Sequence, residues 1–167
     1  SPPAPQGWNL PAFVPDGAWQ PARVVWWDSW YEPRWGPLLA GCRTIGLANE
    51  YGAPHGDDGA THLIRRAFTL SPPYPGWRIG RATLAMWSDN KTEWWWQGVS
   101  VMRDREGYVG EVELWPGRVG SQGGVYTLAI QNSNDRGYAI NPQGTSYRLS
   151  VTWHPPYLAQ CLPVMLK

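Results

Sequence analysis

A chain of 167 residues with 14 basic and 13 acidic side chains and a net charge of +1 is long enough for one domain with a sizeable core. Its charges are too evenly spread to form the basic stripe of a nucleic-acid binder. No apolar run approaches the roughly 20 residues of a membrane helix, which argues against membrane insertion.

Charged residues make up only 16% of the chain, against about 25% in an average globular protein. The 19 glycines and 17 prolines far exceed their ordinary combined share of about 12%. Both residue types break helices and supply turns, so the composition predicts short strands joined by structured loops. The chain opens at Ser1 without an initiator methionine or a leader-like apolar stretch, as expected of a processed or excised polypeptide.

Thirteen tryptophans, including Trp26-Trp27 and Trp94-Trp95-Trp96, are the main functional signal. Tryptophan combines the largest apolar side chain with an N–H donor, so each one either fills a core or offers a flat platform to a sugar ring or another protein.

Residues 1–21, SPPAPQGWNLPAFVPDGAWQP, show no periodicity and read as an extended proline-rich arm that Trp8, Phe13 and Trp19 could pin to a body. The segment ARVVWW (22–27) is the first strand candidate. From Asp28 to Ala60 the chain is loop-like, with aromatics at Trp30, Tyr31 and Trp35 and an acidic, glycine-rich stretch over 49–59.

Alternation then becomes clear. Ile64, Phe68 and Leu70 share one face, opposite Arg65 and Thr69. SPPYPG (71–76) is a turn. Ala82, Leu84 and Met86 alternate with Thr83, Ala85 and Trp87. TEWWWQGVSV reads as a hairpin turning at Gln97-Gly98. Short strands follow around Val112 and Leu114, then over 125–132 with Tyr126, Leu128 and Ile130 inward, and last with Tyr147, Leu149 and Val151 on one face. Seven or eight short strands and no helical stretch predict an all-β antiparallel sandwich or jelly roll. The expected organisation is an arm over 1–21, the sandwich over 22–153 and a C-terminal tail over 154–167 that packs on it.

Several pieces in this order resemble the galactose-binding-like β-sandwich family of extracellular bacterial proteins. They are IRRAFTL (64–70), ATLAMWSDNKTEWWWQGVSV (82–101), and VYTLAIQNSN (125–134) followed by NPQG (141–144). The resemblance covers residues 64–151 and implies a jelly-roll sandwich with no single function, since members serve as sugar-binding, accessory and assembly modules. Two positions depart from the pattern: the turn asparagine is Gln97, and the usual core valine after Leu-Ala-Ile is Asn132. A buried asparagine requires partners for its amide, so local exposure or a satisfied network is expected there.

Matched to the family's corner, alternation turns Thr92, Trp94 and Trp96 to the core and Trp95 to the opposite face. Trp87 and Trp95 are then either exposed or covered by the N-terminal segment. The cluster WWDSWYEPRW offers the best platform, with Asp28 and Arg34 as polar contacts; folding down as a lid over the sandwich end is the alternative. The candidate ligand-binding set is Trp26, Trp30, Tyr31, Arg34, Trp35, Trp87, Trp95 and Trp115.

Cys42 and Cys161 form no Cys-x-x-Cys pair, and His55, His62 and His154 are scattered, so no zinc site is expected. A bridge between the cysteines would close a loop of about 120 residues, worth roughly 4–5 kcal/mol in the chain-entropy account. Two separate buried thiols are the alternative. Loop-rich composition favours a secreted, extracellular or periplasmic protein, where disulfides persist.

No cofactor is expected. A structural calcium held by Glu50, Asp57 and Asp58 is the one metal the oxygen donors admit, although a solvated turn is the ordinary arrangement. No nucleophile elbow, zinc helix or phosphate loop occurs, and Glu111 and Glu113 fit the outward face of one strand rather than a glycosidase pair, so no enzyme is expected. The expected function is a non-catalytic recognition module that binds glycans on tryptophan. The alternative is an assembly subunit of a filament, envelope layer or larger complex, whose exposed tryptophans and arm bury against neighbouring protein subunits.

Overall fold

The computed structural model describes residues 3–24, 37–46, 61–89, 91–104, 110–114, 123–134 and 144–156. They form nine strands, β1 (Arg23–Val24), β2 (Ile45–Gly46), β3 (Thr61–Leu70), β4 (Arg78–Asp89), β5 (Lys91–Trp96), β6 (Val99–Asp104), β7 (Gly110–Glu113), β8 (Gly124–Ser133) and β9 (Gly144–His154). A three-residue 3-10 turn spans Pro37–Leu39, and no α-helix occurs among the described residues.

The strands make two antiparallel sheets, a five-stranded one in the order β1-β2-β9-β4-β7 and a four-stranded one in the order β3-β8-β5-β6. The all-β antiparallel sandwich expected from the alternating pattern is therefore the fold. Of its first strand candidate, residues 23 and 24 form β1 and residues 25–27 lie outside the described residues, and the segment expected to be a loop up to Ala60 holds β2 and the 3-10 turn.

Period-2 alternation fills the space between the sheets. Ala82, Leu84 and Met86 of β4, Trp94 and Trp96 of β5, and Tyr126, Leu128 and Ile130 of β8 are buried together with Leu114. Ile64, Phe68, Leu70, Tyr147, Leu149 and Val151 pack around them. Trp96 stacks between Tyr126, at 5.5 Å, and Phe68, at 6.2 Å, while Trp94 meets Tyr147 edge-on at 6.3 Å. Trp94 and Trp96 are thus core residues, as alternation predicts.

A bulge in the β5–β6 pairing leaves Trp94 opposite Met102 and Trp95 opposite Ser100. The extra residue, Val101, re-aims the strand so that Val101 and Met102 both pack against the core although they are consecutive.

The β5–β6 turn has Gln97 at φ 52° and Gly98 at φ 79°, the pair of left-handed residues that a two-residue hairpin turn needs. Asparagine adopts this conformation more readily than glutamine. Here the longer side chain has a second use. The Gln97 N–H donates to the Thr127 carbonyl at 2.9 Å, and Gln97 Oε1 accepts the Thr127 N–H at 2.7 Å, so one residue extends the β5–β8 ladder with both its backbone and its amide.

Asn132 is buried, and its partners are in the other sheet. Nδ2 donates to the Asp89 carbonyl at 3.1 Å and the Gly144 carbonyl at 3.2 Å. Asp89 and Gly144 face each other across β4 and β9, so the amide ties the end of one sheet to the other. The donor half of the network anticipated for this position forms through Nδ2, while no hydrogen bond reaches the buried Oδ1 among the described residues.

Each sheet is also covered on its outside. Seven consecutive residues, Ala82–Ser88, are buried in β4, because Leu39 and the half-buried Cys42 pack on the outer-face residues Ala85 and Trp87. Thr145 Oγ1 donates to the Trp87 carbonyl at 2.9 Å, Thr44 and Ser146 share a hydroxyl hydrogen bond at 3.2 Å, and Arg148 reaches the Ala40 carbonyl.

On the four-stranded sheet the cover is the N-terminal arm. It is a succession of turns rather than an extended strand, closed by Trp8 N–H to Pro5 O, Leu10 N–H to Gly7 O and Phe13 N–H to Leu10 O. Trp8 is 5% exposed and meets Trp95 edge-on at 5.3 Å. Arg65 Nη2 donates to the Leu10 and Pro11 carbonyls at 3.1 and 2.9 Å. A Cβ on Gly98 would lie 2.7 Å from Leu10 Cδ2, so the bare turn glycine also makes room for the arm.

Candidate functional site: an aromatic cleft and a polar strip

The arm creates a cleft as it crosses the edge of the sandwich. β3 is the edge strand of the four-stranded sheet, and arm residues 18–22 lie over it near Gly46 of β2. The cleft has a volume of about 460 Å³ and is lined by Trp19, Gln20, Thr61, His62 and Arg65, with Pro5, Ala18, Ala22, Gly46, Leu63 and Ile64 completing its walls. That volume falls in the range of small-molecule sites.

Trp19 is held in place from several directions. Asp16 Oδ1 accepts the Ala18 N–H at 3.0 Å and the Asp16 carbonyl accepts the Trp19 N–H at 3.1 Å, which fixes the turn that presents the indole. The ring stacks on Trp8 at 6.4 Å and 29°, and Phe13 tilts against it at 5.7 Å. A half-buried indole fixed this way binds with little loss of rotamer entropy. Arg65, opposite, uses Nη2 on the arm, while its buried Nε–H has no acceptor among the described residues. One aromatic wall facing amide, hydroxyl, imidazole and guanidinium groups suits a ligand that is apolar on one side and hydroxyl-rich around its rim.

A second depression, of about 360 Å³, lies on the outer face of the same sheet, between Lys91, Thr92, Glu93, Arg103, Gln131 and Ser133. Pairing explains the grouping: Lys91 faces Ser133, and Glu93 faces both Gln131 and Arg103, so alternation sends these side chains to one face. Glu93 Oε1 accepts from Arg103 Nε at 2.8 Å and from Ser100 Oγ at 3.0 Å. The cleft and the strip adjoin where Thr61 and Ser133 share a hydroxyl hydrogen bond at 3.0 Å.

The sequence-derived candidates fare unevenly. Trp87 is not a platform: it is 1% exposed, because Leu39 and Cys42 of the 37–42 segment fold over it. Trp95 is on the outer face as expected, and Trp8 of the arm covers it. Trp26, Trp30, Tyr31, Arg34, Trp35 and Trp115 lie outside the described residues, as do Glu50, Asp57 and Asp58. No group of three metal-ligating side chains occurs among the described residues. Cys42 carries a free thiol beside Leu39 and Trp87, so the expected bridge gains no support; Cys161 lies outside the described residues.

Neither depression was anticipated. Trp19 gave no sign beyond its aromaticity, since its partners Thr61 to Arg65 are more than forty positions away. The strip was within reach: Lys91, Glu93 and Trp95 alternate along β5, and the Gln97-Gly98 turn brings Arg103 beside Glu93.

No family model matches the chain, and no curated protein matches it. Among solved structures, the chain is similar to the Pleurotus ostreatus lectin in its apo form, with a TM-score of 0.54 and 18% identity over 71% of this chain and 32% of the lectin. The lectin in complex with GalNAc gives a TM-score of 0.53 and 21% identity over the same shares. A Streptomyces avermitilis α-L-rhamnosidase complexed with L-rhamnose gives a TM-score of 0.46 and 26% identity over 57% of this chain and 9% of the enzyme. The lectin likeness bears on the fold, a β-sandwich. The chain spans less than a third of the length of the lectin and less than a tenth of that of the rhamnosidase.

Proposed function

We propose that this chain is a non-catalytic, galactose-binding-like recognition module of an extracellular or periplasmic protein and that it binds glycans in the Trp19 cleft. The observation that carries the proposal is the fixed Trp19 indole facing Gln20, Thr61, His62 and Arg65 across about 460 Å³. A pyranose ring has an apolar C–H face that stacks on an indole, and its rim hydroxyls take hydrogen bonds from the opposite wall. The lectin of similar fold, solved with GalNAc, supports this choice of ligand class.

Affinity electrophoresis through gels cast with soluble neutral polysaccharides tests the proposal. The protein is retarded by at least one of them, and Trp19→Ala migrates as if the polysaccharide were absent. Equal retardation of the two proteins would refute the cleft's role.

A second function, protein assembly, draws on Leu10 of the arm and Val99 of the edge strand β6, each 48% exposed. It predicts concentration-dependent self-association in size-exclusion chromatography, which Leu10→Ser abolishes. A monodisperse monomer at high concentration would exclude it.

A further inference from the structure

We infer that the polar strip on the outer face of the four-stranded sheet is an acidic-sugar subsite, with Arg103 and Lys91 receiving the carboxylate of a uronate unit. The inference rests on the glycan function proposed for the neighbouring cleft and names the kind of chain that function takes.

Charge is the first ground. Among the described lining residues Lys91 and Arg103 are basic, Glu93 is acidic, and Gln131 and Ser133 are neutral, so basic groups outnumber acidic ones there. The arrangement of the arginine is the second. Its side chain is 77% exposed and that of Glu93 only 24%, and the contact runs through Nε at 2.8 Å. An exposed ion pair of this kind contributes only about 0–1 kcal/mol to stability. What it does is orient the guanidinium. Glu93 is itself fixed by Ser100 Oγ at 3.0 Å, and the Nη groups of Arg103 have no acceptor among the described residues. A planar N–H fork held this way is the geometry that carboxylates accept in bidentate fashion.

Continuity with the cleft is the third ground. Thr61 lines the cleft and Ser133 lines the strip, and their hydroxyls are hydrogen-bonded to each other at 3.0 Å. From β3 to β6 the surface crosses three strand spacings, about 14 Å. A ligand using both depressions is therefore an oligosaccharide with one sugar ring stacked at Trp19 and an acidic unit at Arg103. Glu93 acts as a positioning residue for Arg103, and Gln131 and Ser133 offer hydrogen bonds to ring hydroxyls.

The test compares polygalacturonate with its carboxyl-reduced neutral form, by affinity electrophoresis and calorimetry on the full chain. The wild type is expected to bind the acidic polymer at least about tenfold more tightly, the equivalent of about 1.4 kcal/mol. Arg103→Gln, an exposed substitution whose folding is checked by an unchanged Tm, reduces that preference to about twofold or less without altering affinity for the neutral polymer. Glu93→Gln loosens the guanidinium and lowers the preference in part, and Lys91→Gln does likewise. A preference that survives Arg103→Gln, or equal affinity for the two polymers, overturns the acidic subsite and leaves the Trp19 cleft standing. Binding of the acidic polymer that is insensitive to Trp19→Ala overturns the cleft instead, and binding to neither polymer nor to any neutral glycan overturns both.

Discussion

Replacing Asn132 with valine tests how the two sheets are tied together. The amide is 1% exposed and donates to the carbonyls of Asp89 and Gly144 at 3.1 and 3.2 Å. Valine removes both bonds and leaves two buried carbonyls short of a donor. At about 1–2 kcal/mol for each, the loss is about 2–4 kcal/mol. Valine is close in volume and contributes apolar burial that offsets roughly 1 kcal/mol of this. The net cost is about 1–3 kcal/mol. A domain of this size loses about 2–4 °C per kcal/mol, so the Tm falls by about 2–12 °C in calorimetry or circular dichroism. Asn132→Asp sharpens the test. It keeps the shape but places a carboxylate against two carbonyl oxygens, so it destabilises more than valine does at pH 7, and less at low pH where the carboxyl can donate. A valine variant as stable as the wild type, or an aspartate variant milder than valine, would refute the cross-sheet tie.

Trp8→Ala should undock the arm without unfolding the sandwich. Trp8 holds the arm through Trp95 and Trp19, whereas the core beneath is closed by Trp94, Trp96 and Leu128. Hydrogen exchange at Leu10, Phe13 and Trp19 is expected to rise at least about tenfold while the β4, β8 and β9 amides stay protected; uniform loss of protection would contradict this. Burial raises the pKa of the Tyr147 phenol above its ordinary 10.0, although the charge and hydrogen bond of Arg66 pull it down. The neutral form is therefore the one the fold favours, and its contribution is complete below pH 10 and lost as pH rises through the higher folded-state pKa. Tyr147→Phe should show a shallower alkaline loss of Tm than the wild type, and parallel curves would show that Tyr147 does not matter there.

Much of the sandwich was legible because alternation with a period of two is a direct consequence of strand geometry. Ala82, Leu84 and Met86, the Trp94/Trp96 pair, and Tyr126, Leu128 and Ile130 all point where the pattern sends them. The pattern distinguishes the faces of a strand, but it does not say whether the second face meets water. Trp87 shows the difference: its face is covered by Leu39, forty-eight positions away, and nothing in the local sequence announces that contact. β1 and β2, with two residues each, are too short to carry any period. The Trp19 cleft was missed for the same reason as the cover over Trp87, since it exists only once the arm's turns are laid against β3.

Whether Trp19 forms the sugar-facing wall of the cleft is decided by isothermal titration of the wild type and Trp19→Ala against the same glycan. The variant is expected to keep the wild-type Tm within a few degrees, because Trp19 lies on the arm, and to lose at least about tenfold in affinity, equivalent to about 1.4 kcal/mol. A variant that binds as tightly as the wild type would contradict it.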